Sequence, residues 1–282
     1  MVLSRFNSLT VFVVVTILAS VSLYGQDPTP TPAATPPAEP NIIAPSTGSA
    51  GRNAPTAYTA EQIVVSSQFI YGLGGGKAVL DQIRKTTFER GKAQIAEADG
   101  KMTTVNYQRW IKRGETLGAE SVRLELDYPN NARYSMLYTA EKVSGIYNDS
   151  VFTPREDAVK AFDNQNFRSI DALLRYKENE STIEIGEKQK IMGVDLYVVD
   201  LTDKQARKTR YYISAKSLRV MMLEYEDGGA KYKRRFYDYR YAQGTLVPYR
   251  TVLLRDEKII EEYTIGTITY GQKVDDGLFV TN

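Results

Sequence analysis

The chain contains neither cysteine nor histidine, and a single tryptophan. Without cysteine there are no disulfides, no thiolate metal site and no lipid attachment through a leader cysteine, so the fold rests on packing alone. Without histidine the usual general base is missing, and so are the Ser–His and Cys–His dyads and the commonest transition-metal ligand. Carboxylate and lysine chemistries survive this exclusion. Charge of one sign is also lacking: 36 basic residues face 34 acidic ones over 282 positions, with the signs interleaved. No face is marked for nucleic acid.

Long apolar runs are scarce too. The longest opens the chain: Arg5, then Leu9, Phe12, Val13, Val14, Val15, Ile17 and Leu18, followed by Ala19, Ser20, Ser22 and Gly25. A basic start, a core on the order of ten to fifteen apolar residues and a small-residue tail make a secretory signal over residues 1–26. A spanning helix needs roughly twenty, so an uncleaved membrane tether is the alternative. Residues 27–57 are rich in proline, threonine and alanine, including Pro28, Pro30, Pro32, Pro36, Pro37 and Pro40. Such a stretch buries too little apolar surface to offset its ordering entropy and reads as a disordered, extended linker. Residues 58–282 then form one domain.

That domain begins with helical spacing. Thr59 and Gln62 stand at capping-box distance, Ile63, Val64, Phe69 and Ile70 follow, and Gly72 stops the helix. Ala78, Val79, Leu80 and Ile83 start a second short helix. From about Lys85 the period becomes two. Val122, Leu124 and Leu126 alternate with Arg123, Glu125 and Asp127, and Tyr134, Met136 and Tyr138 continue beyond the Pro129-Asn130-Asn131 turn. Between Arg155 and Glu178 the pattern returns to one or two amphipathic helices carrying Phe162 and Phe167. The order is helix, about five strands, helix, about six strands, making roughly ten to twelve strands joined by short turns. No β-α-β alternation occurs, so the class is α+β with a large antiparallel meander, which has to curl.

The motifs that suggest chemistry fail on spacing. In Gly72-Leu73-Gly74-Gly75-Gly76-Lys77, a phosphate-binding loop would need glycine at Tyr71 and a hydroxyl at Ala78, so the cluster reads as a helix stop. Glu261 and Glu262, as neighbours on a strand, point to opposite faces, and Asp275-Asp276 reads as a solvated turn. On a regular strand Arg235, Tyr237, Tyr239 and Tyr241 share one face, with Arg234, Phe236 and Arg240 on the other. Pro248 inside a strand pattern implies an edge or a bulge.

This order of elements resembles the LolA/LolB-like family of outer-membrane lipoprotein-sorting proteins. Three segments carry the resemblance: Gln68-Phe69-Ile70-Tyr71-Gly72-Leu73-Gly74-Gly75, Gly244-Thr245-Leu246-Val247-Pro248-Tyr249-Arg250, and Val274-Asp275-Asp276-Gly277-Leu278-Phe279. The resemblance implies an incomplete β-barrel whose concave face is covered by helices. It also implies a non-enzymatic carrier in the periplasm of a Gram-negative-type bacterium, binding lipid or lipoprotein acyl chains without a cofactor or metal. The expected ligand groove is lined by Leu124, Leu126, Met136, Tyr138, Val220 and Met222, under a lid carrying Phe162 and Phe167. For the family's lid-locking arginine the candidates are Arg109, Arg113 and Arg123. The same fold also serves envelope sensors, so the alternative is a sensor or scaffold that binds an envelope protein and carries no lipid. The chain is expected to be a monomer that does not bind nucleic acid.

Overall fold

The computed structural model describes residues 58–140 and 142–281; the expected signal and linker, residues 1–26 and 27–57, lie outside them. Helix α1 (Ala60–Tyr71) starts at Thr59, whose hydroxyl accepts from the Gln62 N–H at 3.2 Å while the Gln62 side chain accepts from the Thr59 N–H at 3.0 Å. This reciprocal cap satisfies two orphan donors of the first turn. The helix closes on Gly72, whose N–H donates to Gln68 O at 2.9 Å. Positive φ at Gly74 (83°) and Gly76 (62°) then turns the chain into α2 (Gly76–Ile83), so the glycine cluster is a helix stop and linker.

One antiparallel, unclosed sheet makes up most of the rest. Six strands run outward from the middle: β1 (Thr86–Ala96), β2 (Met102–Lys112), β3 (Ser121–Asp127), β4 (Arg133–Thr139), β5 (Lys142–Tyr147) and β6 (Ser150–Phe152). Helices α3 (Glu156–Phe167) and α4 (Ile170–Leu174) carry the chain to the far edge. Eight more strands follow: β7 (Thr182–Ile185), β8 (Gln189–Ile191), β9 (Val194–Thr202), β10 (Lys208–Ser214), β11 (Val220–Asp227), β12 (Ala230–Ala242), β13 (Thr245–Arg255) and β14 (Lys258–Tyr270). The last of them, β14, pairs with β1, so the two meanders join in mid-sheet, and β6 and β7 end the order. The sheet is an incomplete barrel with helices, as expected. Among the described residues it has 14 strands rather than ten to twelve, because β6 and β8 have only three residues each and show too little alternation to be read.

The inner face carries two apolar clusters. Under α1 and α4, Ile63, Val64, Tyr71, Leu173 and Leu174 pack on Tyr211, Ile213, Val220, Leu223 and Leu246. Under α3, Phe162 packs on Ala93, Val105, Tyr107, Val122, Leu124, Leu126, Met136 and Tyr138. The outer face is covered locally by the C-terminal 3-10 turn Asp276–Phe279: Arg123 donates to Leu278 O at 3.0 Å and Thr139 to Phe279 O at 3.2 Å. Asp275 caps that turn by accepting from the Gly277 N–H at 2.9 Å, and Asp276 pairs with Lys112 at 2.6 Å.

Two local irregularities override strict alternation. The β10–β11 register shifts between Tyr212↔Met222 and Ile213↔Val220, leaving Met221 as an extra residue. In β12, Asp238 has φ 53°, and Tyr239 consequently joins the inner cluster that contains Phe236. The extra residue at Met221 and the left-handed backbone at Asp238 each change the face that the following side chains take. The basic–aromatic stripe expected along β12 is therefore broken at Asp238. Strand β13, which carries Pro248, is central rather than an edge. Its ladder to β14 nevertheless ends at Arg250↔Thr264, so Pro248 lies beyond the last pair and its missing N–H costs that ladder nothing.

Candidate functional site: a charged cavity under the helical cover

Four of the expected groove residues come together. Leu124, Leu126, Met136 and Tyr138 share one cluster with Phe162, and all five are buried. They form packed core beneath α3 rather than an open groove. Phe167 lies at the rim of that cluster, edge-on to Tyr138 at 5.8 Å and beneath the Arg207 guanidinium at 4.1 Å. Val220 lies apart, under α1, where its N–H donates to the Tyr71 hydroxyl at 3.2 Å. Met222 is a correction. The extra residue in β11 turns it to the outer face, where it packs with Leu196, Val198 and Tyr212. The i, i+2 spacing of Val220 and Met222 implied a shared face that the bulge removes.

Open space is found between the two inner clusters. A cavity of about 210 Å³ is walled by Tyr71, Ile170, Phe236 and Leu246 from one side and Ile111 and Tyr263 from the other. Its lining carries an unusual density of charge. From β1 and β2, the Tyr107 hydroxyl donates to Glu89 Oε1 at 2.7 Å, and Arg109 stands 3.7 Å from the same carboxylate. Arg109 also donates to Gln165 Oε1 at 3.1 Å, and Gln165 Nε2 donates to Glu261 Oε1 at 2.9 Å. This chain ties α3 to β2 and β14. Glu261 points inward while Glu262 points outward to Arg250 at 2.7 Å, as strand geometry requires. Burial pushes the Glu261 carboxyl above its ordinary value against the pull of Arg234 and Arg109.

Helix α4 is fastened by three arginines. Asp171, in its first turn, accepts from Arg84 at 2.9 Å and from Arg113 at 3.0 Å, and Arg113 reaches Asp81 of α2 at 3.2 Å. Burial opposes ionisation of Asp171, but Arg113, Arg84 and Arg175 outweigh it and hold the carboxyl down at about 2. At the other end of α4, Arg175 pairs with buried Glu120 and donates to the carbonyls of Gly114 (2.7 Å) and Glu115 (3.0 Å). Burial pushes Glu120 up to about 7, with Arg175 pulling the other way. Of the three candidate lid arginines, Arg109 and Arg113 reach the helices, whereas Arg123 lies on the outer side, bonded to Glu125 and Leu278.

Sequence reading missed Arg84, Arg175, Asp171 and Glu120, and set Glu261 aside as one of a divergent pair. The one available signal was Glu261 standing inward on an otherwise apolar strand face. Among the described residues no group of three or more carboxylates is arranged to hold a metal ion. No helix there is long and apolar enough by itself to cross a membrane.

No protein-family model and no curated protein matches the sequence. Solved structures do match the fold. A DUF1329 family protein from Desulfovibrio piger superposes with a TM-score of 0.56 at 13% identity, over 78% of this chain and 95% of that one. A LolA superfamily protein from Nitrosomonas europaea gives 0.54 at 13% identity, over 79% and 98%. At such identity the likeness concerns the fold alone. The large unclosed antiparallel sheet with helices packed on its inner face is therefore a LolA-like fold.

Proposed function

We propose that this chain is an exported, non-catalytic binding or carrier protein of the cell envelope, holding an acyl chain of a lipid or lipoprotein between the sheet and α3–α4. The observation that carries this reading is the cavity between the two inner clusters, roofed by helices that charged side chains fasten. A cavity of roughly 150 Å³ accepts benzene. The present space of about 210 Å³ therefore takes on the order of eight non-hydrogen atoms, and a longer chain requires the cover to move. Helix α3 is the part suited to moving: of its 12 residues only Phe162 and Asn164 are buried. Each methylene transferred from water contributes about 0.8 kcal/mol, enough over a chain to offset the loss of a few half-buried polar contacts.

The test uses the full-length chain and a fluorescent fatty acid. Thr251 lines the cavity, and Thr251→Phe fills it; this variant is expected to keep its fold by circular dichroism and lose uptake. Met222→Glu, on the outer face, is expected to retain uptake. Uptake surviving in Thr251→Phe but lost in Met222→Glu removes the cavity as the site. A folded wild-type chain that takes up no fatty acid favours the protein-binding scaffold instead.

A further inference from the structure

Over much of its outer face the sheet neutralises its own charge. Arg210 pairs with Asp200 at 2.7 Å, Arg250 with Glu262 at 2.7 Å, Arg133 with Asp127 at 2.8 Å and Lys233 with Glu257 at 2.8 Å. Opposite-charge neighbours of this kind stabilise a sheet. The middle of the sheet breaks the pattern. Thr87, Glu89 and Ala93 of β1 and Val105, Tyr107 and Arg109 of β2 face inward. Strand alternation therefore turns Arg90, Lys92 and Gln94 outward, and with them Gln108, Asn106 and Thr104, their register partners on β2. On the other flank, Thr267 and Thr264 of β14 stand opposite Arg90 and Lys92. None of these outward side chains makes a hydrogen bond or ion pair among the described residues.

They surround a hollow of about 630 Å³, a volume usual for ligand pockets. Gly91 and Gly266, which project no side chain, lie in its lining at the β1–β14 register shift. A second hollow of about 770 Å³ shares Lys92, Thr104 and Asn106 and extends to Arg133 of β4. At the opposite end of the same rows, Phe88 and Trp110 are register partners, partly exposed, with ring centroids 5.3 Å apart.

The residue types narrow the ligand. Side-chain amides and hydroxyls both donate and accept. Here they stand in rows about 4.8 Å apart across the strands and about 6.7 Å apart along them, a spacing suited to the hydroxyls of linked sugar rings. Arg90 and Lys92 add two positive charges without a carboxylate partner among the described residues, which favours a ligand with negative charge. A lone inorganic anion would use the two cations and leave the amides idle.

We propose that the middle of the outer face binds an acidic oligosaccharide, with its hydroxyls on Gln94, Thr104, Asn106 and Gln108, its carboxylates on Arg90 and Lys92, and a sugar ring beside Trp110. This site is independent of the inner cavity and of any acyl ligand.

Trp110 is the only tryptophan of the chain, so tryptophan fluorescence reports on this face. The full-length chain is titrated with tetragalacturonate, maltotetraose and inorganic phosphate, with isothermal titration calorimetry alongside. Tetragalacturonate is expected to shift the emission saturably and to bind about tenfold more tightly than either of the others. Arg90→Gln is expected to weaken its binding about tenfold, the value of one hydrogen bond to a charged group, and Asn106→Leu several-fold. Tm is expected to hold in both variants, since both side chains are exposed and unbonded. Arg210→Gln, which removes a paired arginine elsewhere on the outer face, is expected to leave binding unchanged. Absence of saturable tetragalacturonate binding by both methods overturns the inference. Phosphate or maltotetraose binding as tightly as tetragalacturonate overturns it too, as does undiminished affinity in Arg90→Gln and Asn106→Leu.

Discussion

Asp171 lies in the first turn of α4 and Glu120 pairs with Arg175 at the other end of that helix, and the two carboxylates respond oppositely to pH because arginines prevail at Asp171 and burial prevails at Glu120. Asp171 is held at about 2, below the ordinary carboxylate value. Its contribution to stability is therefore full above about pH 4 and is lost as pH falls toward 2. Glu120 is raised to about 7. The folded chain then binds a proton that the unfolded chain has released, so this contribution is full below about pH 4 and is lost as pH rises through 7. Thermal melts between about pH 5 and pH 8 are expected to show Tm falling, and Glu120→Gln to flatten that slope. Asp171→Asn leaves Arg84 and Arg113 without their counter-charge. It is expected to cost about 2 kcal/mol in denaturant titrations near neutral pH, less than a fully buried pair because Asp171 is about a third exposed. A slope unchanged in Glu120→Gln would remove Glu120 as its source. None of these pairings could be read from the sequence, because the partners are remote along the chain: Arg84 and Asp171 are 87 positions apart, and no local periodicity links them.

At the scale of elements, the sequence was legible wherever a residue's neighbours decide its conformation. The capping box at Thr59, the glycine stop at Gly72 and the alternation of Val122, Leu124 and Leu126 all depend on local chemistry, and all appear in the structure. Faces are misread where the strand departs from regular geometry, at the extra residue Met221 and at Asp238 with its positive φ. The helices also differ in how they are held. Helix α1 buries Ala60, Ile63, Val64, Ser67 and Tyr71. It is pinned by a hydroxyl relay in which Tyr71 and Tyr239 lie 3.0 Å apart and Tyr239 donates to Val220 O at 2.5 Å. Helix α3 buries two residues and leans on polar ties, Asn164 to Asp227 at 2.9 Å and Lys160 to Asp227 at 2.7 Å. Amide hydrogen exchange is accordingly expected to be much faster in α3 than in α1, and to slow in α3 when an acyl ligand is present. Equal protection of the two helices would contradict a cover that opens through α3.

For the whole molecule, the decisive junction is the β1–β14 pairing, which joins a six-stranded outward meander to an eight-stranded return. The register shifts there between Arg90 and Gly91, and the two chains approach so closely that a Cβ at Gly91 would collide with the Thr264 carbonyl oxygen and the Gly266 nitrogen. Gly91→Val is expected to lower stability by about 3 kcal/mol or more in urea titrations, since the clash is with backbone that cannot rotate away. The junction also sets the cavity, because Glu89, Glu261, Tyr263 and Ile268 on its inner face line that space. The class of sheet and its helical cover were legible as pattern. The charged interior was not, because arginines and glutamates on alternating strands look the same in sequence whether they face water or a cavity.

The most direct measurement is photo-crosslinking of the full-length chain with a diazirine-bearing fatty acid, the labelled residues being located by mass spectrometry. Acyl binding under the helical cover predicts label on cavity-wall residues such as Ile111, Phe236 and Leu253, abolished by Thr251→Phe. Label confined to the outer face, around Met222 or the neighbouring rings of Phe88 and Trp110, would contradict it.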